Sequence, residues 1–292
     1  MADINLYLGA HKTATTHLQG ILLANRERLQ AKSIGLSAPQ DVRKEWLPKF
    51  FKYCNAPGER KTHLGKYLRD LRPDARTWIL TEENIIGVSN DLAVKSGIYP
   101  FAAQRLKALV ELFGDDNVTL FFSIRSYGSF YRSAYSEVVR NRGYIPFDEF
   151  YDEGRFADNS WVDFVQRVQE VFPQDRITLW RFEDFRGLVP RLLQAMTGLD
   201  SVQELIDAYK AETTRPSLSQ KTMDILADLH PVISRQESLA LVERINKAYP
   251  VETGNVPYMP FTDAQEAEFR DKYEKDVAEI KSRFPQVTFL EA

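Results

Sequence analysis

Two stretches of the chain place cationic and hydroxyl side chains where they could hold a phosphorylated ligand. In the first, Gly9 follows a short apolar run at residues 4–8. Ala10-His11-Lys12-Thr13-Ala14-Thr15-Thr16 then leads into an amphipathic segment from residue 15 to about 31. A helix starting there offers an anion its unpaired N–H groups and the positive end of its dipole. Lys12 adds a point charge, and the threonines add hydroxyl donors. The same threonines could instead cap the helix, leaving Lys12 in solvent. In the second stretch the apolar run 118–124 ends at Arg125. Ser126 fits an N-cap, and Ser133 follows it by two helical turns, on the same face. Arg125 and Ser133 could grip one anion together, although either alone would suit a surface ion pair or a helix face.

Both stretches depend on strands that end where the polar residues begin. Buried strands are expected at 4–8, 77–81, 118–124 and 177–182, with shorter ones at 34–37 and 287–290. Between them Pro100 opens a helix whose Leu106, Leu109, Val110 and Phe113 recur at helical spacing before Gly114. Trp161, Phe164, Val165 and Val168 mark a second helix, ended near Pro173. Thr262 and Gln265 fit a capping box ahead of the stripe Phe269, Tyr273, Val277, Ile280 and Phe284. Buried strands alternating with helices predict an α/β fold, a central parallel sheet flanked by helices. We expect one domain over residues 1–292, with a ligand-binding α/β core to about 200 and a mostly helical subregion from about 201 to 292. Open sheets of this kind bind ligands at the carboxyl ends of their strands, where Lys12 and Arg125 stand.

The 292 residues are 43% hydrophobic and 27% charged, ordinary values for a chain with a substantial core. A net charge of −3 gives no basic field for nucleic acid or an anionic membrane, so an anionic ligand needs a local basic site. Cys54 is the single cysteine, which excludes an internal disulfide and a cysteine-cluster metal site. No window approaches a membrane span, and nothing near residue 1 has the pattern of a signal peptide. A cytoplasmic setting is the expectation.

In order and spacing, the two stretches resemble the sulfotransferases that use 3′-phosphoadenosine 5′-phosphosulfate (PAPS). Their phosphosulfate loop reads K-[ST]-G-T-[ST], and in bacterial members His-Lys-Thr-Gly-Thr-Thr. Lys12, Thr13, Thr15 and Thr16 match it, while Ala14 replaces the usual glycine. The family's 3′-phosphate arginine and the serine eight positions on are matched by Arg125 and Ser133. Thr81-Glu82-Glu83-Asn84 resembles a Ser-Ser-Glu-Asn stretch. Trp180-Arg181-Phe182-Glu183-Asp184-Phe185 resembles a segment whose aromatic lies near the adenine. His17 stands where tryptophan is frequent in cytosolic members. Arg215-Pro216-Ser217-Leu218-Ser219, leading to Lys221, resembles a late loop that closes over the cofactor.

The resemblance implies a sulfotransferase with the fold of the P-loop nucleotide kinases. It implies that Lys12, Thr13, Ala14, Thr15, Thr16, Arg125 and Ser133 bind PAPS, and that no metal is needed. Lys12 would stabilise charge on the bridging oxygen. Glu83 is the expected base, because it matches the family glutamate and sits at a strand's carboxyl end; Glu82, His11 and Glu45 are the other candidates. The acceptor would be a hydroxyl or amine of a small molecule, glycan or lipid. Two other readings stand: a P-loop kinase of a small metabolite, and a non-catalytic nucleotide-binding or interaction protein of the same fold. The first lacks the Gly-Lys pair of a Walker A loop. The second draws on Ala14, which would cost about 1–2 kcal/mol if its φ is positive.

Overall fold

The computed structural model describes residues 2–88, 97–210 and 216–292. Six strands form one sheet: β1 (Asp3–Tyr7), β2 (Ile34–Ser37), β3 (Thr77–Thr81), β4 (Asn117–Ile124), β5 (Ile177–Arg181) and β6 (Thr288–Leu290). Their order is β2-β3-β1-β4-β5-β6, and all neighbours are parallel. All six expected strands form, within a residue at each end. The parallel sheet flanked by helices is therefore as expected.

Successive side chains of a strand serve opposite faces, and both faces are buried here. On one face Leu6, Leu80, Leu120, Phe122 and Leu179 join the helices Ala102–Phe113, Tyr127–Arg142, Trp161–Gln169 and Asp263–Arg283. On the other, Tyr7, Ile79, Phe121 and Trp180 meet Leu18, Ile21 and Leu22 of the Thr15–Ala24 helix and Leu188 and Leu192 of the Phe185–Thr197 helix. Residues beyond 201 are mostly helical, and their Met223, Val242, Tyr273 and Val277 share the first cluster with the strands. The chain end then returns to the sheet as β6, so the helical region is stitched to the core at both ends.

The amphipathic segment from residue 15 is not one helix. It breaks at Asn25, giving Thr15–Ala24 and Arg26–Gln30. Asn25 is buried, and its amide donates to Ile21 O at 2.9 Å and to Leu205 O at 2.8 Å. A short polar side chain that satisfies backbone carbonyls competes with the helix, and here it also ties in the Gln203–Asp207 helix.

From β1 the chain crosses to β2 and β3 on one side; from β4 it proceeds to β5 and β6 on the other. β1 and β4 are adjacent strands whose connections depart in opposite directions. That is a topological switch point, and the crevice outside its strand ends is where open α/β sheets take ligands.

Candidate functional site

The loop after β1 is wound tightly across this crevice. Gly9, Lys12 and Ala14 all have positive φ, at 49°, 66° and 59°. Gly9 is required twice over, by its φ and because a Cβ would lie 2.4 Å from the Thr15 methyl. Thr13 is fully buried; its hydroxyl donates to Ala10 O at 2.6 Å and accepts from Ser123 Oγ at 2.6 Å. Thr13 thus staples the loop to β4 with its side chain. Thr15 is buried and Thr16 exposed.

Ala14 is the N-cap of the Thr15–Ala24 helix, in left-handed geometry and without a side-chain cap. The conditional strain of about 1–2 kcal/mol therefore applies. An alanine cap also leaves the helix start unsatisfied. Among the described residues, the N–H groups of Lys12, Thr13, Ala14, Thr15 and Thr16 have no hydrogen-bond acceptor. His11 N–H, just before them, is bound by Tyr99 Oη at 2.8 Å.

The second stretch meets the first directly. The Arg125 guanidinium donates to the Lys12 carbonyl and, through Nε, to Ser129 Oγ at 2.9 Å. The Trp161 indole holds the Arg125 carbonyl at 2.8 Å. The Phe182 ring lies 4.4 Å from the guanidinium carbon, so its contact here is with Arg125. Every one of these partners is neutral, and among the described residues no carboxylate forms an ion pair with Arg125. Burial pushes the guanidinium down to about 10; Glu183 opposes that shift and Arg132 adds to it. Arg125 remains cationic at neutral pH.

Ser126 is the N-cap of the Tyr127–Arg142 helix, as expected, but its hydroxyl bonds Ser129 instead of the helix N–H groups. Ser129, Ser133 and Glu137 follow at four-residue spacing, one stripe of that helix. Ser129 holds Arg125, and Glu137 Oε2 lies 3.2 Å from Lys12 Nζ. Half-buried Ser133 stands between them, and its hydroxyl has no hydrogen-bond partner among the described residues. The sequence had not marked Ser123, Ser129 or Glu137. A serine inside the apolar run of β4, and an acid one turn beyond Ser133, were the available signals.

The end of β3 has a different character. Glu82 is fully buried and accepts from Arg43 Nε at 2.7 Å, Arg43 Nη2 at 3.2 Å and Asn84 N at 3.1 Å. Glu83 accepts from Arg43 Nη2 at 2.8 Å and Gln19 Nε2 at 3.4 Å. His11 joins the two loops. Its Nε2 faces Asn84 Oδ1 at 3.2 Å and its Nδ1 faces Tyr99 Oη at 2.9 Å. Asn84 presents an acceptor because its amide nitrogen donates to Glu82. The consistent assignment is neutral His11 with the proton on Nε2. Burial pushes the His11 pKa down, while Glu83, Glu82 and Glu137 oppose that from around the ring. Glu45, the remaining candidate base, is exposed and bound to Tyr67 and Lys49.

His17 packs edge-on against Phe185 and Tyr209. Arg215 lies outside the described residues. The stretch after it is anchored: Arg140 holds Pro216 O at 2.6 Å, and Ser219 caps the Gln220–Leu229 helix.

No family model and no curated protein matches this chain. Among solved structures, the crystal structure of a sulfotransferase from Alicyclobacillus acidocaldarius aligns with it at a TM-score of 0.42 and 19% identity, over 82% of this chain and 95% of that one.

Proposed function

We propose that this chain binds PAPS in the crevice between β1 and β4 and transfers its sulfuryl group to a hydroxyl or amine of a small-molecule, glycan or lipid acceptor. The observation that carries this reading is Arg125. A half-buried cation whose partners among the described residues are a hydroxyl, a carbonyl and a ring face is a costly arrangement unless an anion completes it. Five consecutive N–H groups without acceptors among the described residues lie on the loop that Arg125 braces. Two anionic groups suit two such places, and the donor carries a 3′-phosphate and a 5′-phosphosulfate.

Arg125 and Ser133 would take the 3′-phosphate. The N–H groups from Lys12 through Ala14 to Thr16, with the hydroxyl of Thr16, would cradle the 5′-phosphate. Thr13 contributes its N–H, since its hydroxyl is engaged with Ala10 and Ser123. Thr15 contributes the next donor of the helix start. The bound donor supplies the sulfuryl group. Transfer is an in-line displacement in which positioning and charge stabilisation dominate. Lys12 would donate to the oxygen on which charge develops as the S–O bond breaks. Two carboxylates stand at this end of the sheet as candidate proton acceptors, Glu83 after β3 and Glu137 beside Lys12.

The test is calorimetric binding of the desulfated donor, 3′-phosphoadenosine 5′-phosphate (PAP), compared with ATP and Mg²⁺. PAP should bind, and Arg125→Ala should weaken it about 10- to 150-fold, the loss of a charge-assisted bond of roughly 1.5–3 kcal/mol. Preference for ATP with Mg²⁺ would point to phosphoryl transfer instead. Binding of neither would sink the nucleotide reading.

A further inference from the structure

The groups that could take the acceptor's proton differ in what holds them. Glu82 is buried under Arg43 and Asn84. His11 has both ring nitrogens in hydrogen bonds to Tyr99 and Asn84. Glu45 bonds Lys49 of the Trp46–Cys54 helix and Tyr67 of the Gly58–Asp70 helix. Glu83 is shared between Arg43 and Gln19. Glu137 alone among these carboxylates is paired with Lys12, its other oxygen accepting from Asn141 at 2.8 Å.

That pairing locates it. A base must come within about 2.6–3.2 Å of the proton it takes. The acceptor oxygen must lie in line with the sulfur and the leaving oxygen. If Lys12 serves the leaving oxygen, its ammonium marks the transferred group to within a few ångströms, and Glu137 is the carboxylate that ammonium touches. Glu137 also lies one turn beyond Ser133, on the wall of the crevice that Arg125 and Ser129 line.

Resting on the sulfuryl-transfer reading, we propose that Glu137 is the catalytic base and that Lys12 couples its activity to the donor. The acceptor oxygen forms the new O–S bond while its proton passes to the Glu137 carboxylate. The S–O bond to the 5′-phosphate breaks, and its electron pair leaves on the phosphate oxygen, where Lys12 stabilises it. As Lys12 turns to that oxygen its hold on Glu137 relaxes, and the carboxylate oxygen it held accepts the proton when the donor is in place.

The experiment pairs PAP binding with hydrolysis of PAPS, in which water is the acceptor and no acceptor need be identified. Glu137→Gln keeps the size of the side chain and an oxygen for Lys12 but cannot take a proton. It should bind PAP as well as wild type or up to about fivefold tighter, because a partly exposed ion pair of at most roughly 1 kcal/mol no longer competes for Lys12. Its hydrolysis of saturating PAPS should fall by about a hundredfold or more. Glu83→Gln should fall less. Hydrolysis by Glu137→Gln at or above the wild-type rate would overturn the proposal and leave Glu137 a mere restraint on Lys12. So would PAP binding weakened in proportion to the lost rate. Glu137→Ala, carrying the best helix former at that position, is read by the same criteria if the glutamine variant does not fold. Failure of wild type to bind PAP is a separate outcome: it removes the sulfuryl-transfer reading and this inference with it.

Discussion

The carboxyl ends of β1 and β3 lie side by side, and they handle charge in opposite ways. After β3, Glu82 and Glu83 are matched by Arg43, Asn84 and Gln19, so that every carboxylate oxygen there has a donor. After β1, the chain winds through three positive-φ residues and leaves five N–H groups without acceptors among the described residues, braced by an arginine whose partners among those residues are neutral. Buried polar groups in folded proteins are satisfied by default. The saturated end therefore reads as structure, and the unsaturated end is the place we propose a bound anion completes. His11 sits between them and bonds into the saturated side.

Lys12→Ala is the largest test of that contrast. Removing one preorganised donor should lower sulfuryl transfer about 10²- to 10³-fold, while leaving Glu137 to face the phosphate unopposed. The fold should persist, because a partly exposed pair contributes at most roughly 1 kcal/mol. Near-wild-type turnover of PAPS would break the assignment.

Arg43→Ala should do the reverse, damaging the fold with no direct loss of a donor contact. It strands the buried Glu82 carboxylate, at a cost of about 3 kcal/mol in urea unfolding, the low end for a broken buried pair because Arg43 is itself half exposed. PAP affinity in the folded fraction should be close to wild type. A variant of unchanged stability would show that the β3 end is not held by this pair.

Ala14→Gly sharpens the comparison from the other side. At φ 59° glycine relieves left-handed strain, and stability should rise by about 1 kcal/mol with PAP binding retained. A loss of stability would mean that the packing of the alanine methyl against the core cluster on this face of the sheet outweighs the strain.

His11 gives the smallest effect, visible only in acid. Its folded pKa lies below the unfolded value of 6.5, so the unfolded chain binds the proton first. Its contribution is present above about pH 6.5 and is lost as pH falls below that value. Wild type should lose stability between pH 7 and 5 more steeply than His11→Gln in urea unfolding; equal slopes would contradict a neutral, buried His11.

Much of the fold was legible because it is periodic. The runs of Val, Ile, Leu and Phe marked all six strands, and Gly114, Thr262 and Gln265 marked helix ends. What was not legible depended on distant partners. The break at Asn25 needs Leu205, nearly two hundred residues away in sequence, to accept its amide. Thr13 carries a hydroxyl like its neighbours, and only the approach of Ser123 from β4 turns it into a staple. Glu83 follows a strand and Glu137 lies within a helix, and no spacing rule separates a carboxylate held by Arg43 from one held by Lys12.

By itself the sequence determined the strand–loop–helix units, because local hydrophobic period and cap chemistry act within a few residues. It also determined that Lys12 and Arg125 would both fall at strand ends. Only the tertiary structure decided that β1 and β4 are neighbours with diverging connections, that Arg125 braces the Lys12 loop, and that Ala14 takes left-handed geometry. Those outcomes are set by sheet order and by which side chains meet across it. Hydrogen bonding and desolvation are settled by spatial neighbours, and a chain written in one dimension does not name them.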